Sequence, residues 1–82
     1  MVSGASVGAI ASRVAAGEQV DAVAEDYGLI RGEALLACWW VGMDGPIGWR
    51  VLWREWAEGA RAALVDGSYD EIPDPPAGEI VW

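Results

Sequence analysis

Apolar residues recur every three or four positions along most of this chain, and single glycines interrupt the rhythm. The first phrase places Val7, Ile10 and Val14 at helical spacing, with Ser6 able to cap the start and Gly17 positioned to stop the helix. In the second, Val20, Val23, Ala24 and Tyr27 fall at i, i+3, i+4 and i+7, while Asp21, Glu25 and Asp26 point elsewhere. That pattern predicts a helix with one apolar and one acidic face. Gly28 supplies the left-handed residue that lets Leu29 fold back under the helix pair. A third helix is predicted to begin near Gly32. It carries no charge over residues 34–43, and Leu35, Leu36, Cys38, Trp39, Trp40 and Val41 make it apolar around nearly its whole circumference, so it should be buried on several sides.

Met43, Asp44, Gly45 and Pro46 form a dense turn signal. Beyond it a longer helix is predicted over residues 47–65. Trp49, Leu52, Trp53, Trp56, Ala60, Ala63 and Leu64 line one stripe of it, and Arg50, Arg54, Glu55, Glu58 and Arg61 occupy the rest, with Arg54 and Glu58 paired at i, i+4. Such an aromatic stripe serves either as core or as a partner-binding groove, and Trp49, Trp53 and Trp56 are its candidate contacts. Over residues 66–82 the prolines Pro73, Pro75 and Pro76 rule out a continued helix, and every charged side chain is acidic. One reading makes this a solvated, disordered tail. The other is an extended segment that wraps a basic partner. In it Tyr69, Ile72, Ile80, Val81 and Trp82 serve as apolar anchors, and Asp70, Glu71 and Asp74 face the partner's cations. The predicted fold is therefore all-α: a three-helix helix-turn-helix unit over 1–43, an amphipathic Trp-rich helix over 44–65 and an extended acidic tail over 66–82.

At 82 residues the chain has room for one modest core. Six tryptophans carry more apolar surface than so small a core readily hides, which predicts an oligomer or a stable complex. The net charge of −8 repels phosphate backbones and favours basic proteins. A bias toward Ala, Gly, Val, Asp and Glu, with no Lys, Asn, Thr or Phe, is that expected of a GC-rich genome. With neither a signal-peptide pattern nor a bilayer-length apolar run, the expectation is a soluble cytoplasmic protein away from membranes.

Catalytic chemistry finds few candidates. Without histidine there is no Ser-His or Cys-His nucleophile, and Cys38 lies in apolar surroundings that leave it inert and unpaired. Asp66, Ser68 and Asp70 alternate like the start of a calcium loop, but Glu71 stands where that loop needs glycine and no bidentate Glu follows. Neither an enzyme, a cofactor nor a metal site is predicted.

The stretch Ala15-Ala16-Gly17-Glu18-Gln19-Val20, then Val23-Ala24-Glu25-Asp26-Tyr27-Gly28-Leu29, then Ala34-Leu35-Leu36-Ala37 resembles a family of small bacterial and archaeal antitoxins catalogued as domain of unknown function 433. The resemblance covers about half the chain. It implies a helix-turn-helix and a type II toxin–antitoxin role: pairing with a PIN-like ribonuclease toxin, blocking it, and taking part in repression of the operon. A nuclease of that kind holds metal with carboxylates and RNA with basic residues, so acidic and apolar groups laid across its cleft would neutralise it. Two other classes compete. One is a DNA-binding regulator of phage or mobile-element origin that presents Arg13 and Arg31 to the duplex, although the third helix lacks the polar side chains that read bases. The other is a structural homo-oligomer packed through the tryptophans of the third and fourth helices.

Overall fold

The computed structural model describes residues 4–80, with side chains from residue 7 onward. Four helices follow one another: α1 (Gly4–Ala15), α2 (Val20–Asp26), α3 (Arg31–Asp44) and α4 (Ile47–Asp66), and no strand occurs among the described residues. All four lie close to where the apolar spacing puts them. α1 starts earlier than expected, so Ser6 falls inside its first turn rather than ahead of it. Gly17 and Gly28 adopt positive φ values of 105° and 68°, which lets the backbone turn sharply after α1 and α2. At the start of α3 the Glu33 carboxylate accepts the Ile30 backbone N–H at 3.1 Å, satisfying a donor that the helix itself leaves free.

α3 and α4 form a helical hairpin through Gly45 and Pro46, and theirs is the most extensive interhelical packing. Gly42 makes it close: a Cβ there would lie 3.1 Å from Trp53 Cβ and 3.2 Å from Ala57 Cβ. α1 and α2 pack against the other side of α3, and Ile10, Val14, Val20, Val23, Leu35 and Cys38 share one buried core with Trp53. The aromatic stripe of α4 is therefore mainly core. Trp53 stacks at a tilt on Trp49 and Trp56, with ring centroids 5.0 and 6.2 Å away.

After α4 the chain makes a short 3-10 turn, Tyr69–Glu71, and then runs extended back over the helices. It contacts every one of them. Trp56 donates its indole N–H to the Pro73 carbonyl and Trp53 donates to Pro76, both at 2.7 Å. Asp74 accepts the Val20 backbone N–H at 3.1 Å, capping α2 from 54 residues away. Gly78 donates to the carbonyl of Ala15 at the end of α1. Ile72 enters the core at 2% exposure, and Pro75 is buried as well. These contacts correct the reading of a disordered, detached tail, since the described part is held against the helices even though most of its side chains stay exposed. Prolines withhold N–H donors but keep their carbonyls, and here the indoles supply the missing donors. Among the described residues no helix is long and apolar enough to cross a membrane.

Candidate functional site

The residues expected to bind a partner divide into three groups. Trp49, Trp53 and Ile72 are buried in the chain's own core and are out of a partner's reach, a correction to their predicted role. Trp56, Tyr69 and Ile80 are half-buried against that core, with the Tyr69 ring lying over the α-carbon of Gly32. Asp70 and Glu71 stand exposed on the 3-10 turn. Asp74 is engaged internally, and Val81 and Trp82 lie outside the described residues.

Arg31 is the clasp of the tail. Its guanidinium donates to the carbonyls of Tyr69 (3.1 Å) and Ile72, and to the carboxylates of Asp21 (3.1 Å) and Asp74 (3.3 Å). This planar fork joins α2, α3 and the tail in a way a lysine ammonium could not reproduce. Arg13 is likewise occupied. It makes a two-pronged contact with Glu18 (2.9 and 2.6 Å), a bond to Asp26 (2.6 Å) and a cation–π approach to the Tyr27 ring. The guanidinium holds the Glu18 carboxyl below its ordinary range. Both cations proposed to face a DNA duplex are therefore committed to intramolecular partners. For Arg31 nothing in the sequence position signalled this, because Asp74 sits 43 residues away.

Cys38 is fully buried and free, and burial, with a smaller contribution from the Asp74 charge, pushes its thiol up to about 12. It is held as a neutral thiol. Ser68 donates to Asp66 at 2.9 Å, and no cluster suited to a metal ion occurs among the described residues.

Two surface features were not legible in the sequence. α3 is not buried all round, as its composition suggested: Leu36 and Trp40 are 54% and 49% exposed, and Leu36 lines a cleft with Trp39 and with Arg61, Leu64 and Val65 of α4. The second is a groove of about 520 Å³ between α4 and the tail. Leu52, Trp56, Ala60 and Ala63 form its helical wall, Ile72, Pro73 and Pro76 form the other, and Glu55 and Glu71 stand at its sides. Gly59 opens onto it. The bond from Trp56 to Pro73 fixes the indole in the wall. Only a chain that folds back on its own helix creates such a groove, so periodicity along the sequence could not announce it.

No family model, curated protein or solved structure was found to match this chain.

Proposed function

We propose that this chain is the antitoxin of a type II toxin–antitoxin pair, which neutralises a PIN-like ribonuclease by covering its basic, RNA-binding cleft. The carrying observation is that Asp70 and Glu71 remain exposed on a tail held in place by Arg31, Trp53 and Trp56. A prefolded acidic edge loses less conformational entropy on binding than a disordered tail would. The motif resemblance over α2 and α3, whose helices are joined by only four residues, supports a helix-turn-helix ancestry for this function. The internal commitment of Arg13 and Arg31 argues against operator reading by this chain alone.

The test is to titrate the purified chain into the product of the adjacent gene, which this reading requires to be a PIN-like ribonuclease, with cleavage of a labelled RNA as the readout. Stoichiometric inhibition is expected, and Asp70→Lys combined with Glu71→Lys should weaken it while leaving the helical signal unchanged. Undiminished cleavage at excess chain overturns the reading. Deleting the tail is a poor substitute, because the tail completes the core.

A second reading rests on the exposed Leu36, Trp40 and Val65. In it these residues pair two copies through their α3–α4 hairpins. Sedimentation of the wild type beside Trp40→Gln would show a dimer in the first and a monomer in the second.

A further inference from the structure

We propose that the groove between α4 and the tail receives an arginine or lysine side chain of a basic partner segment, its aliphatic stem on the apolar walls and its charged head at Glu55 and Glu71. Three observations support this. The walls are largely apolar, with Leu52, Trp56 and Ala60 on the helical side and Ile72 and Pro76 on the tail side. The charge at the groove has one sign, since no basic residue lines it. Neither Glu55 nor Glu71 has an ion-pair partner among the described residues, so both carboxylates are available to a cation. A long cationic side chain matches both features, because such side chains lay their stems on apolar surface and keep the head polar. The indole wall adds cation–π attraction.

Gly59 fits the same account. It lies in the middle of α4, where glycine is the less stable choice, yet nothing in the chain occupies the space its Cβ would take. A side chain at this position would project into the groove.

The inference takes the basic partner of the proposed function as the donor of the cation, but the binding test of the groove itself does not need that partner. The probe is the blocked tripeptide Arg-Leu-Arg, titrated into the full chain while the indole N–H resonances are followed by NMR. The control is the same peptide with both arginines replaced by citrulline, which keeps the shape and removes the charge. The Trp56 resonance should shift with the arginine peptide and saturate. Glu71→Gln should weaken binding about tenfold, the loss expected for one charge-assisted hydrogen bond. Gly59→Leu should abolish the shift while melting no lower than the wild type. The absence of a Trp56 shift, or equal shifts with the citrulline peptide, overturns the proposal. If the peptide binds as described but Gly59→Leu still inhibits the ribonuclease fully, the groove stands and its use in toxin binding falls. If the chain fails to inhibit the ribonuclease at all, the antitoxin reading falls while the peptide result still decides the groove.

Discussion

The indole nitrogen of Trp53 donates to the carbonyl of Pro76 at 2.7 Å, so a fully buried core tryptophan also holds the tail. Trp53→Phe keeps an aromatic ring but removes the donor and some volume. Its expected loss is about 1–3 kcal/mol, from one hydrogen bond and a small cavity. Urea unfolding measures it. Hydrogen exchange should show the Gly78 amide, which bonds to Ala15, losing protection before the amides of α3.

Arg31 gathers two carbonyls and two carboxylates around one guanidinium. Arg31→Lys preserves the charge but cannot span that set. It should lower stability by about 2 kcal/mol and expose the segment after the 3-10 turn to limited proteolysis. Arg31→Lys cleaved no faster than the wild type would show that the tail is held without the clasp.

Two glycines in the helical hairpin should respond in opposite directions. Gly42→Ala inserts a methyl group between α3 and the atoms of Trp53 and Ala57, with an expected loss of about 1–3 kcal/mol. Gly59→Ala meets nothing and removes a helix-interior glycine, with an expected gain of about 0.5–1 kcal/mol. Thermal melts of the two variants against the wild type check both signs.

Cys38 should resist a thiol-specific reagent in the folded chain at neutral pH and react at once in denaturant. Its pH dependence has a defined sign. Between the ordinary value of 9.0 and about 12 the folded thiol keeps a proton that the unfolded chain releases. The contribution of this group to stability is therefore complete below pH 9 and falls as the pH rises through that window. Replacing the thiol by Cys38→Ala should flatten that part of the stability curve. An unchanged slope would show that the thiol does not titrate differently in the two states.

Much of the fold is legible along the chain because helices are local. The spacing of Val20, Val23 and Ala24 marks the buried face of α2, Gly17 and Gly28 mark turns, and the stripe from Trp49 to Leu64 marks the inner side of α4. The candidate site was less legible. Trp49, Trp53 and Ile72 have the composition of an interface and the location of a core, since residue type records affinity for apolar surroundings and not which apolar surface supplies them. Leu36 and Trp40 err the other way, looking like core and standing half open to solvent.

By itself the sequence determined the all-helical class, the order and approximate bounds of α1 to α4, the inert character of Cys38 and the strongly acidic surface. Each follows from periodicity, from single-residue backbone preferences or from counting charges. Only the tertiary structure decided where the tail goes, that Arg13 and Arg31 are spent within the chain, and that a groove with Glu55 and Glu71 at its sides lies beside α4. These depend on pairings such as Arg31 with Asp74 and Trp53 with Pro76, between residues far apart in the chain. Contacts of that kind follow from how whole helices pack, and no local pattern of apolar and polar residues encodes them.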